Sequence, residues 1–135
     1  MLYSFNWLKE YVEGLPKPAK LADILTMRAF EVEGVSKVGT DYVLDIAVLS
    51  NRPDCFSHLG MAREISVVLN TGFKSENVKL KEKKRSKTED FISVKIENKE
   101  DCVKYAARVI EGVKVKPSPK WLQKRLEVCG LRPVN

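Results

Sequence analysis

The chain is poor in the residues that most often carry chemistry. It has one histidine and three cysteines in 135 residues. The cysteines, Cys55, Cys102 and Cys129, are odd in number, far apart and outside any C-x-x-C. With a single histidine they cannot complete the usual Cys/His zinc set from local spacing. They read as reduced thiols buried as small apolar residues, and no metal site is expected. No G-x-S-x-G, H-E-x-x-H or P-loop occurs, and no internal repeat. No apolar run approaches the roughly 18–20 residues that cross a bilayer. The opening "MLYSFNWLKEYVEG" lacks a basic flank, an apolar core and a small-residue cleavage site, so no signal peptide is expected. A cytoplasmic location is the default expectation.

What is present is ordinary globular material, 44% hydrophobic and 31% charged, with a net charge of +6. Much of that charge sits in "KSENVKLKEKKRSKTE", residues 74–89, which holds seven Lys/Arg against three Glu. Without aromatics, glycine or a sustained period, the segment reads as a basic linker or exposed arm. If it touches nucleic acid, Lys79, Lys81, Lys83, Lys84 and Arg85 are the candidate phosphate contacts, and the chain would then act as a free-standing RNA-binding module.

Periodicity supplies the elements. Ser4 can cap a first helix with Phe5, Leu8, Tyr11 and Val12 on one face. "EGLPKP" breaks it, and a second helix turns Leu21, Ile24 and Leu25 inward. "FEVEGVSKV" suggests a short strand or turn, and "DYVLDIAVLS" a strand with one face well buried. After Pro53, Leu59, Ala62, Ile65 and Val68 or Leu69 mark an amphipathic helix, with Gly72 placed to end it. Further on, "FISVKIEN" and "KYAARVIEGVKVK" alternate as strands. "PSPKWLQKRLEVCGLRP" is a helix with Ser118 as cap, Pro119 at its first position and Gly130 at its end. Trp121, Leu122, Leu126 and Cys129 are the candidates for its buried stripe.

The stretch "SNRPDCFSHLGMARE" gathers Asp54, Cys55, Ser57 and His58. A Cys/His nucleophile would need the two side chains to meet, with an orienting acid and oxyanion donors besides. The simpler reading is the start of a helix: Pro53 fixes the turn, and either Asp54 or Ser57 can accept from the free N–H groups. Arg52 would bond nearby carboxylates or backbone carbonyls, or instead offer its guanidinium to RNA phosphate. Arg52, Pro53, Asp54 and Ser57 are therefore assigned a structural role, and no catalytic or cofactor-binding residue is assigned.

Four ordered blocks carry a more specific signal: "FNWLKEYV", "LTMRAFEVEGV", "LDIAVLSNRPDCFSHLGMAREISVVL" and "YAARVIEGVKVKPSPKWLQKRLEVCGLRPVN". Together they resemble the N-terminal part of the bacterial phenylalanyl-tRNA synthetase beta subunit. The resemblance implies an α+β fold, with a small winged-helix-like domain over residues 1–72. A basic linker over 73–90 would follow, then an incomplete editing-type module over 91–135 whose pocket residues lie further along the chain. It also implies an alpha-subunit partner in an alpha2-beta2 assembly, with tRNA bound directly or through the full enzyme. ATP and magnesium would serve the full ligase, and none is expected on this chain. Most bacterial members carry an oligonucleotide-binding-type barrel between the "EVEGV" and "LDIAV" strands. Here only "SKVGTD" connects them, a turn using Gly39 and Asp41. The expected role is thus a non-catalytic segment of a phenylalanine–tRNA ligase.

Overall fold

The computed structural model describes residues 1–75, 79, 80, 82 and 86–134. The chain divides into two compact units, residues 1–76 with 117–135, and residues 77–116. Its elements are helices and one small antiparallel sheet, an α+β architecture.

In the first unit, β1 (Leu2–Ser4) runs directly into α1 (Phe5–Tyr11). Ser4 makes the turn possible: its extended backbone and its hydroxyl, which accepts from Trp7 N at 3.0 Å, satisfy a free N–H of the first turn. Pro18 opens α2 (Pro18–Arg28), where its fixed φ suits the first helical position. Leu21 and Leu25 face the core, and Ile24 is only half-buried.

The hairpin follows as β2 (Val32–Val38) and β3 (Asp41–Ile46). Gly39 sits at φ 58°, the left-handed value that a type II′ turn places at its first central residue. Six residues between the two sequence blocks therefore suffice to reverse the chain. Both partners of β3 are antiparallel, in the order β1-β3-β2, with Leu2 opposite Asp45 on one side and Lys37 opposite Tyr42 on the other. A bulge falls between Val32 and Gly34.

A single 3-10 turn, Pro53–Cys55, precedes α3 (His58–Leu69). Asn70, at φ 49°, takes the left-handed position that ends α3. The sequence reading assigned that task to Gly72. Gly72 instead lends its carbonyl to Glu13 N at 3.0 Å, which with Lys74 N on Tyr11 O at 2.7 Å ties the end of α3 to the end of α1.

The core collects Tyr3, Phe5, Leu8, Leu21, Leu25, Leu44, Ile46, Met61 and Ile65 between the helices and one sheet face. Each such aliphatic side chain contributes about 2 kcal/mol of burial free energy. The last helix, α4 (Lys120–Val128), lies against β1. It ends in a Schellman arrangement, with Gly130 at φ 72° and Leu131 N on Leu126 O at 2.8 Å. Pro119 rather than Ser118 occupies its cap position, and Ser118 instead offers its carbonyl to Gln123 Nε2. Within the stripe expected for this helix, Trp121 is 60% exposed, whereas Leu122, Leu126 and Cys129 are half-buried. Residues 117–135 thus belong to the first unit.

The second unit holds one 3-10 turn, Thr88–Asp90, and no strand among its described residues. The two strands expected from "FISVKIEN" and "KYAARVIEGVKVK" do not form. Ile92 and Val94 alternate as a strand face should, yet both are about half exposed, at 47% and 49%. An alternating pattern specifies a strand only when a partner and an apolar layer receive it.

Candidate functional site

The helix-start cluster is built by the path from β3 into α3. Arg52 N donates to Leu49 O at 2.9 Å, which turns the chain toward Pro53. Ser57 is extended, and its hydroxyl accepts from Gly60 N at 3.1 Å. Of the two caps open to the sequence reading, Ser57 is the one used. Asp54 is free for another task. Arg52 grips it with two parallel bonds, Nε to Oδ1 at 3.0 Å and Nη2 to Oδ2 at 2.9 Å. The same Nη2 reaches Glu64 Oε2 at 2.9 Å on α3, and the guanidinium lies 5.2 Å from the Phe30 ring centroid. The Arg52 bond holds the Asp54 carboxyl down to about 2. Two carboxylates thus neutralise this guanidinium, and little of its donor fork remains for a phosphate.

Gly60 stands where no other residue fits. A Cβ there would lie 1.7 Å from the Asp54 carbonyl oxygen. The close approach of turn and helix brings Cys55 fully inside. Burial, aided by the Asp54 carboxylate that accepts from its thiol, pushes Cys55 up to about 11. Its carbonyl accepts from the Tyr3 hydroxyl at 2.6 Å, and burial pushes that phenol up to about 12.

His58 faces elsewhere. Its Nε2 accepts from Ser4 N at 2.9 Å, and its ring stacks on Trp7 with centroids 4.0 Å apart. Burial first, then the Arg125 charge, hold it down to about 4 against the opposing pull of Asp41. The sulfur near Nε2 is Cys129 Sγ, at 3.8 Å, and burial raises that thiol as well. Cys55 turns toward Asp54 and Arg52, and His58 toward Ser4 and Cys129, so the two do not form a nucleophile–base pair. Both sulfurs and the imidazole are held in their uncharged forms, which suits packing and not attack.

Two features escaped the sequence reading. Asp41, assigned to a turn, is buried and accepts from Ser4 Oγ at 2.5 Å, Asn6 N at 2.9 Å and Tyr42 N at 2.7 Å. Arg125 lies between Trp7 and Trp121, 4.7 and 5.5 Å from their ring centroids, and pairs with Glu10. Neither feature leaves a sequence signal, because each joins residues distant in the chain.

Of the phosphate-contact candidates, Lys79 is exposed, while Lys81, Lys83, Lys84 and Arg85 lie outside the described residues. Lys74, at the start of the basic segment, pairs with Glu13 at 3.1 Å. Among the described residues no three His, Cys, Asp or Glu side chains converge as a metal ion would need. No helix among them is long and apolar enough to cross a membrane. A surface depression of about 450 Å³ is shallow and open, lined by Lys9, Glu13, Gly14, Leu15 and Lys74 among others.

Comparison with known proteins gives a consistent result. The B3/4 domain family matches residues 101–135. Over 135 residues, all of this chain and 20% of the relative, the chain is 40% identical to the phenylalanine–tRNA ligase beta subunit of Rhodopirellula baltica. It is 44% identical over 95 residues to that of Anaeromyxobacter dehalogenans, covering 70% of this chain and 12% of the relative. To that of Bacillus cereus it is 35% identical over 131 residues, covering 94% of this chain and 15% of the relative. The chain thus spans about a fifth or less of the length of these curated relatives. No solved structure matches.

Proposed function

We propose, from the premise that the chain is homologous to the N-terminal part of phenylalanine–tRNA ligase beta subunits, that it is a non-catalytic structural segment of such a ligase. In that role it supports ATP-dependent attachment of phenylalanine to its tRNA within an alpha–beta assembly. The observation that carries the reading is the Rhodopirellula match, which covers the whole chain, the short Ser36–Asp41 connection included. The buried, uncharged state of Cys55, His58 and Cys129 supports a scaffold role over a chemical one.

Residues 1–72 form the winged-helix-like part of this reading. Support comes from a three-stranded antiparallel sheet whose hairpin stands beside α1 and α2, with α3 packed on those two helices. Residues 73–90 serve as its basic linker, and 91–135 as the start of an editing-type module, a reading supported by the B3/4 match at 101–135. ATP and magnesium belong to the alpha subunit of the assembly, whose setting is the cytoplasm. The arm at 74–89 is the basis of the second reading, a free-standing RNA-binding module, and exposed Lys79 fits it.

The test is ATP-dependent charging of tRNA with phenylalanine by the purified chain, together with hydrolysis of mischarged tyrosyl-tRNA, the reaction that the resemblance implies for an editing-type module. Neither activity is expected from the chain alone, and either one would overturn the scaffold reading. RNA affinity that falls steeply with salt, and falls further when Lys81, Lys83, Lys84 and Arg85 become Gln, would favour the second reading.

A further inference from the structure

The sheet has an unpaired edge with an unusual sequence. β2 lies outermost in the order β1-β3-β2, and every residue from Glu33 to Val38 is exposed. The Gly39–Thr40 loop makes Val38 and Asp41 the closing pair of the hairpin. In an antiparallel ladder, residues alternate between those that bond their partner and those that do not. Val38, Ser36 and Gly34 therefore bond toward β3, while Val35 and Lys37 aim their N–H and C=O groups outward. No hydrogen bond of the described residues takes up those outward groups.

Exposed edges of this kind recruit a further strand unless something blunts them. The residues of β2, V-E-G-V-S-K-V, are complementary to themselves when a second copy lies antiparallel about Val35. Val35 then faces its own counterpart, Gly34 faces Ser36, and Glu33 comes level with Lys37 twice. Gly34 and Ser36 share one side of the sheet by register and the two Val35 residues the other, while the bulge turns Val32 to the side of Ile46, away from that of Val38. The register also puts Val35 opposite Val35 as a bonded pair, which uses the groups that β3 leaves free. The bulge between Val32 and Gly34 confines the regular ladder to Gly34–Val38. Glu33 then reaches Lys37 of the second copy from just beyond its end.

We propose that β2 is a self-association edge on which a second copy of this chain docks antiparallel about Val35, extending the three-stranded sheet to a continuous sheet of six. Charge complementarity selects this occupant, since any strand that satisfied Glu33 and Lys37 together would need their opposite order, and β2 itself supplies it. Lys37, an edge-protecting residue when alone, becomes half of a reciprocal pair.

Sedimentation equilibrium of the whole 135-residue chain, from the micromolar toward the millimolar range, tests this. The mass is expected to rise from 15.3 kDa toward twice that value with concentration. Lys37→Glu and Glu33→Lys each raise the midpoint concentration by about tenfold, because each puts like charges opposite one another at two places. The double exchange Glu33→Lys with Lys37→Glu returns it to the starting value. Val35→Pro removes an outward N–H while leaving the bonds to β3 intact, and is expected to abolish association with the circular dichroism unchanged. A 15.3 kDa species at every concentration overturns the proposal. So does association that persists in the Val35→Pro chain, or that the double exchange fails to restore.

Discussion

The His58 imidazole lies against the Trp7 indole, centroids 4.0 Å apart and planes 19° from parallel, and spends its Nε2 lone pair on Ser4 N. A ring so placed holds β1, α1 and the first turn of α3 together only while it is neutral. Protonation would turn that acceptor into a donor facing another donor.

Stability should accordingly fall in mild acid. His58 is held at about 4 in the folded chain, against about 6.5 unfolded. Between those values the unfolded chain binds the extra proton, so stability is complete above 6.5 and is lost as pH falls toward 4. The loss is on the order of 2–3 kcal/mol. Urea unfolding at pH 7 and pH 5 should show this slope, and His58→Gln should flatten it. Since the chain has one histidine, its ring proton shifts report the midpoint directly.

Gly60→Ala should be among the most damaging single changes. The added carbon would sit 1.7 Å from the Asp54 carbonyl, which is backbone and cannot swing aside. A cost of about 3 kcal/mol is expected, read as a fall in the urea midpoint.

Thiol labelling should rank the cysteines. Cys55 is buried and raised to about 11, so its thiolate fraction near neutral pH is about a hundredfold below that of an ordinary thiol, before burial is counted. Iodoacetamide followed by peptide mass mapping should modify the half-buried Cys102 before Cys55. Rapid Cys55 labelling in the folded chain would contradict the packing described.

Arg52→Ala should release Asp54 and Glu64 together. The Asp54 carboxyl, held at about 2 by the guanidinium, should return toward its ordinary range, a shift visible by carbon NMR titration. The stability that Asp54 gives is present above about 4 and lost as pH falls toward 2. Arg52→Lys should recover only part of the loss in melting temperature, because an ammonium cannot present two parallel donors. Arg52→Ala combined with Glu64→Gln should cost less than the two separately, since they share one bond.

Local chemistry made much of this unit legible in its sequence. Ser4 and the four-residue apolar spacing behind it specify α1, and Pro18 and Leu21/Leu25 specify α2, because caps and periodicity act within one or two turns. The Gly39 turn was readable for the same reason. Where the choice needed distant residues, the pattern fell short. Asp54 and Ser57 are equally good caps until Arg52 and Glu64 claim Asp54. Asn70 and Gly72 are both suited to end a helix until the Gly72 carbonyl is taken by Glu13. Asp41 looks like a turn residue, and only the fold brings Ser4 and Asn6 to it. The alternation over residues 91–115 is real, but a strand needs a partner that the sequence pattern alone does not provide. The Trp7–His58 stack and the Arg125 position between two tryptophans are likewise products of tertiary packing.

The role proposed for this chain is that of the N-terminal segment of a ligase beta subunit. Its most direct test is the size and company of the native polypeptide that carries it. Antibody against residues 1–75 should capture from source cells a polypeptide several times larger than 15.3 kDa, together with a ligase alpha subunit identified by its peptides. Capture of a 15.3 kDa protein alone, with no alpha subunit, would contradict the account.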